Sequence, residues 1–133
     1  HYLATYGTPK TVADVQNHRA LLYRLPSGIL YWQAKMADGW HELRPPPAFI
    51  CNQGNTILTE ALAGTGLALV PRWGIVDKLD SNELIHITLD DADVHAARTD
   101  GSGIYLLYHR PKYAVQKIRL AVDFLLAELS ENG

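Results

Sequence analysis

Cysteine is almost missing from this 133-residue chain: Cys51 stands alone, so no internal disulfide can staple the fold. A surplus of positive charge is missing as well, because 12 Lys and Arg face 14 Asp and Glu for a formal charge of −2. Such a chain has few cations with which to displace counterions from a nucleic-acid backbone, so no DNA binding is expected of these residues. No apolar run approaches the roughly 18 residues a membrane helix needs, and no secretion leader is visible. Together these absences predict a soluble protein of the reducing cytoplasm, without a membrane partner. Internal repeats and low-complexity tracts are lacking too.

The residues that carry common chemistries are present but not in the required patterns. His1, His18, His41, His86, His95 and His109 show no short metal-ligand spacing, and one cysteine cannot complete a zinc site, so neither a metal nor a cofactor is predicted. A nucleophile needs a Ser or Cys beside a base on a sharp turn. Neither a Gly-x-Ser-x-Gly elbow nor a catalytic-cysteine signature occurs. Asp90 and Asp91 sit in a polar stretch and read as solvated surface rather than an acid/base pair. Gly64 and Gly66 follow a helical pattern instead of a strand, the wrong order for a phosphate cradle, and read as a turn. The chain is therefore not expected to be an enzyme.

What is present is ordinary globular material. Apolar residues make up 47% and charged residues 20%, far from the composition of a disordered chain, so a packed core is predicted. Residues 9–15 read as a turn and a helix start, with Thr11 as cap and Asp14 in the first turn, the helix running to about His18. Ala20, Leu21, Leu22 and Tyr23 suit a strand. Pro26, Ser27 and Gly28 suit a turn, and residues 29–33 a second strand, giving a hairpin. Residues 40–44 are a possible third strand, and Pro45, Pro46 and Pro47 mark a boundary.

Residues 48–51 form a short apolar strand. From Thr56, Ile57, Leu58, Ala61 and Leu62 recur at helical spacing, and Gly64 suits the left-handed residue that ends a helix. Leu67, Ala68, Leu69 and Val70 then read as a strand covered on both faces. A strand, helix and strand in that order calls for parallel pairing, which sets the fold class as α/β. Residues 73–79 suit a short helix, 84–87 a weak strand, 90–103 a loop and 104–108 a strand. Val115, Ile118, Val122, Leu125 and Leu129 place one apolar stripe on a closing helix.

Several of these segments resemble the effector-binding domain of LysR-type transcriptional regulators. The carriers are Tyr2-Leu3-Ala4 with Gly7-Thr8-Pro9, then residues 14–18 with Leu21-Leu22-Tyr23-Arg24. The most specific is the run ALAGTGLALVPRW at 61–73. Residues 104–108 and Lys117-Ile118-Arg119 with Val122-Asp123-Phe124-Leu125 complete the likeness. It implies a type 2 periplasmic-binding-protein-like subdomain with a mixed, largely parallel sheet flanked by helices. It further implies that residues 3–80 form the second subdomain and 81–133 return to the first. The family's N-terminal helix-turn-helix, through which DNA would be bound, has no counterpart in this chain. A homo-oligomer is also implied, favoured by any apolar sheet edge or helix face left uncovered.

In an open α/β sheet ligands gather at the carboxyl ends of strands, where helix starts offer free N–H groups. Asn52, Gln53, Gly54 and Asn55 lie there and can hold a carboxylate; the competing reading is that Asn52 or Asn55 caps the helix. Arg24, Leu25, Pro26, Ser27 and Trp32 flank the hairpin where the resemblance implies effector contact, though a plain turn with an edge aromatic also fits. The leading reading is a sensor of a small-molecule effector, such as a small organic acid, an amino acid or a related metabolite. A solute-binding lobe of a transport system would need a secretion signal, and a small α/β enzyme would need a catalytic set.

Overall fold

The computed structural model describes residues 1–99 and 115–131. The chain divides into two units, His1–Thr99 and Asp100–Gly133.

The first unit opens with helix α1, Tyr2–Tyr6, which local pattern did not predict. Helix α2, Val12–Asn17, begins where expected. The Thr11 hydroxyl accepts the Asp14 N–H at 3.2 Å and the Asp14 carboxylate accepts the Thr11 N–H at 2.9 Å, a reciprocal cap that satisfies two orphan donors. The Asp91 carboxylate also accepts the Val12 N–H, at 3.0 Å. Asp91 is exposed, yet it is an anchor across 79 residues of chain rather than idle solvated surface.

Strand β1, Ala20–Leu25, turns through Pro26 and Ser27 into β2, Gly28–Leu30, antiparallel with Leu25 opposite Gly28. β1 is also flanked by parallel neighbours. Strand β5, Pro47–Cys51, lies along it from Ala20 to Tyr23, and the two-residue β6, Leu67–Ala68, pairs with Ala20 and Leu21. Helix α3, Gly54–Leu62, connects β5 to β6 and packs on β1, β5 and β6. The predicted strand, helix and parallel strand therefore exist, with β1 lying between the two strands they join.

Two glycines make that crossover possible for different reasons. Gly64 takes φ +75° while its N–H reaches Ala61 O and the Thr65 N–H reaches Glu60 O, both near 3 Å, a Schellman ending for α3. At Gly66 a Cβ would stand 2.6 Å from the Arg19 carbonyl oxygen, so the chain can approach β1 there only without a side chain.

A second sheet is wholly antiparallel, in the order β4-β3-β7: β4 is Gly39–Leu43, β3 Trp32–Met36 and β7 Asp93–His95. Among the described residues, parallel pairing is thus confined to the first sheet. Several boundaries differ from expectation. The strand at 29–33 is broken at Tyr31, because β2 belongs to one sheet and β3 to the other. Residues 84–87 form no strand, whereas 93–95, expected to be loop, do, because β3 offers them an open edge. The strand at 67–70 ends after Ala68, and the helix at 73–79 is a 3-10 turn, Arg72–Gly74, followed by α4, Val76–Asp80. The strand expected at 104–108 lies outside the described residues.

Tyr2, Val15, Ala20, Leu22, Trp32, Ala34, Leu43 and Leu67 form the core between these elements. Leu21, Leu22 and Leu43 are fully buried, each contributing about 1.5–3 kcal/mol on removal from water. In the second unit, helix α5, Gln116–Glu131, occupies the predicted closing helix.

Candidate functional site

Because β1 and β5 run parallel, with Tyr23 opposite Cys51, their carboxyl ends emerge at the same edge. Arg24, Leu25, Pro26 and Ser27 leave β1 there, beside Asn52, Gln53, Gly54 and Asn55 leaving β5, and all eight are exposed. The Tyr23 hydroxyl donates to the Asn52 carbonyl at 2.6 Å, fastening the two segments together. Eight of the nine residues singled out in the sequence are therefore brought to one place. Trp32 is not. It is 6% exposed and belongs to the core through β3, so it is neither an edge aromatic nor part of this surface.

The start of α3 differs from both sequence readings. The helix begins at Gly54, two residues early, and its cap position is Gln53, which makes no side-chain capping bond. Neither Asn52 nor Asn55 caps it. The Gln53 amide oxygen instead accepts the Thr56 hydroxyl at 3.3 Å, and the Cys51 thiol donates to the Gln53 carbonyl at 3.3 Å. The first-turn N–H groups, uncapped by any described side chain, stay open to an outside acceptor.

Among the eight residues Arg24 is the single charge and no carboxylate is present, so the surface suits an anion. Carboxylates held below their usual range lie elsewhere. Asp38 is lowered first by its hydrogen bond with His41, Glu42 first by Arg44, and Glu83 first by the Ser81 hydroxyl and then Lys78. These are exposed pairs at turns and strand ends, and they shape local structure. Among the described residues no group of three or more potential metal ligands occurs.

Sequence reading missed one feature altogether. A cavity of about 500 Å³ lies beside β6, walled by Tyr2, Leu3, Leu67, Leu69, Ile87, Leu89 and Val94 with Arg72, Glu83 and His86 among its polar lining. None of the nine candidates lines it. Its walls come from three distant stretches of chain, and the alternation of Ile85, Ile87 and Leu89 was the available signal.

With this geometry established, the chain can be set beside known proteins. The family model of the LysR substrate binding domain matches residues 1–130. The HTH-type transcriptional activator TtdR of Escherichia coli is 25% identical over 129 residues, covering 95% of this chain and 39% of TtdR. The HTH-type transcriptional regulator CrgA of Neisseria meningitidis is 23% identical over 131 residues, covering 98% of this chain and 42% of CrgA. This chain thus spans about two-fifths of the length of these relatives. The solved structure of CrgA, a LysR-type transcriptional regulator, superposes with TM-score 0.72 at 21% identity, over 96% of this chain and 42% of that one. The CrgA regulatory domain superposes with TM-score 0.69 at 23% identity, over 96% of this chain and 60% of that one. The shared architecture is the type 2 periplasmic-binding-protein-like fold.

Proposed function

Since the chain belongs to the LysR substrate-binding-domain family, we propose that it is the effector-sensing part of a bacterial transcriptional regulator, binding a small organic acid, amino acid or related metabolite. The observation that carries this reading is that β1 and β5 run parallel and finish together, which puts Arg24 and the uncapped start of α3 at one end of the sheet. That end offers one cation and several N–H donors, and its eight residues include no acid. The role is recognition without catalysis, as suits relatives named as transcriptional regulators.

Arg24, Leu25, Pro26, Ser27, Asn52, Gln53, Gly54 and Asn55 would contact the effector. Residues 3–80 would form the second subdomain of the family's fold and 81–133 the return to the first. The regulator is a cytoplasmic homo-oligomer in this reading, and DNA contact belongs to a helix-turn-helix outside this chain. Among the described residues no helix is long and apolar enough to cross a membrane. A solute-binding lobe of a transporter is the weaker alternative, because the named relatives regulate transcription.

Thermal unfolding with a panel of small carboxylates and amino acids tests the reading. A true effector at one hundred times its Kd stabilises by about 2.7 kcal/mol, and Arg24→Gln should abolish most of that shift while leaving the unliganded Tm unchanged. A panel that shifts wild type and Arg24→Gln equally would overturn the assignment of this edge.

A further inference from the structure

The geometry points to a second binding site, for a small planar aromatic anion, in a depression of about 470 Å³ near the amino end of β1. Arg19 precedes β1 and Arg24 closes on its far end. Four residues of extended chain lie between the two, so this site stands roughly 16 Å from the strand-end surface and does not depend on the effector reading.

Its aromatic component is built from α1. The Tyr2 and Tyr6 rings lie 4.8 Å apart, centroid to centroid, tilted by 37°, and Tyr2 also meets the His18 ring at 5.7 Å. Tyr2 is buried, whereas Tyr6 is 57% exposed. Tyr6 is therefore backed by its neighbour and still offers ring surface to solvent, as a stacking platform does.

Its charged groups are equally uneven. Lys10 and Arg19 line the depression, both exposed, and neither side chain has an ion-pair or hydrogen-bond partner among the described residues. Asp14 is the acid on this wall, but one of its oxygens already accepts the Lys10 and Thr11 N–H groups, each at 2.9 Å. With His18 neutral, the wall carries one net positive charge in a chain whose total is −2. The Arg19 fork suits a carboxylate, Lys10 adds a second cation, and Tyr6 supplies a face for a ring.

An NMR titration of the 133-residue chain with benzoate at low salt tests the site, with cyclohexanecarboxylate and benzyl alcohol as probes lacking the ring face or the charge. Saturating shifts at the amides of Tyr6, Lys10, His18 and Arg19 are expected, with weaker binding of both control probes. Arg19→Gln should weaken benzoate roughly tenfold and Tyr6→Ala a few-fold, because an ionic hydrogen bond is worth more than one ring contact. Arg24→Gln should leave this binding unchanged. Shifts that never saturate or that centre on residues 52–55, cyclohexanecarboxylate binding as tightly as benzoate, or an Arg19→Gln chain that binds as wild type would each overturn the proposal.

Discussion

The phenol of Tyr2 joins the imidazole Nδ1 of His18 at 3.2 Å while accepting the backbone N–H of Arg19 at 2.9 Å. The Tyr2 oxygen thus accepts from the backbone of Arg19, and its bond with Nδ1, whose direction follows the His18 tautomer, ties the same ring to the end of the preceding segment. Helix α1 is too short to persist on local propensity, and this half-buried pair of bonds fixes it to the start of β1.

Tyr2→Phe keeps the ring and removes both bonds, leaving the Arg19 N–H without its acceptor. The expected loss is about 1–3 kcal/mol, seen as a Tm lowered by several degrees in calorimetry. An unchanged Tm would mean that water replaces the hydroxyl at no cost.

Gly66→Ala should be among the most damaging substitutions of a small residue. The added Cβ meets the Arg19 carbonyl at 2.6 Å, so β6 must withdraw from β1 and the Leu67 N–H loses its 2.9 Å bond to that same carbonyl. We expect a loss of about 2 kcal/mol or more in urea unfolding. Gly54→Ala is the contrast, since nothing lies within 4 Å of its Cβ and its φ is not positive, and it should not destabilise the chain.

Acid sensitivity follows from Asp14. The Lys10 N–H first, then the Thr11 hydroxyl and N–H, hold its carboxyl below its ordinary value of 3.8 in the folded chain. A group depressed on folding contributes stability above its unfolded value and loses it as pH falls through the folded one. Asp14→Asn should therefore be less stable than wild type at pH 7, and the difference should shrink as pH falls below about 4, as read by urea unfolding at several pH values. A gap independent of pH would assign the effect to shape alone.

Tyr23→Phe separates positioning from folding. It frees the Asn52 carbonyl, which the Tyr23 hydroxyl otherwise fixes at 2.6 Å, without disturbing the pairing of β1 with β5. The effector-induced Tm shift should fall while the unliganded Tm moves by no more than about 1 kcal/mol equivalent. Equal losses in both would make Tyr23 merely structural.

Features encoded within a few residues were legible in the sequence. Thr11 with Asp14 marked a helix start, Pro26 to Gly28 marked a hairpin turn, and Gly64 ended α3 as its position predicted. Features that depend on distant partners were not. Tyr31 marks a change of sheet that is set by β4 and β7, and β7 exists only because β3 presents an edge to it. The strand-end surface was legible because parallel pairing alone forces β1 and β5 to finish together. Trp32 was misplaced because residue type does not distinguish an aromatic at a rim from one in a core. Asp91 looked idle because its partner, Val12, lies 79 residues away.

Strand β1 holds a position that its place in the chain makes awkward. Ala20 faces Pro47 on one side and Leu67 on the other, so Leu21 and Leu22 leave the ribosome long before either neighbour has been synthesised. Until then β2 is the one strand partner at hand, and it reaches just the far half of β1. The nascent chain thus carries an adhesive apolar strand until residue 68 has been added, and over that interval the strand is as open to a chaperone as to its own sheet.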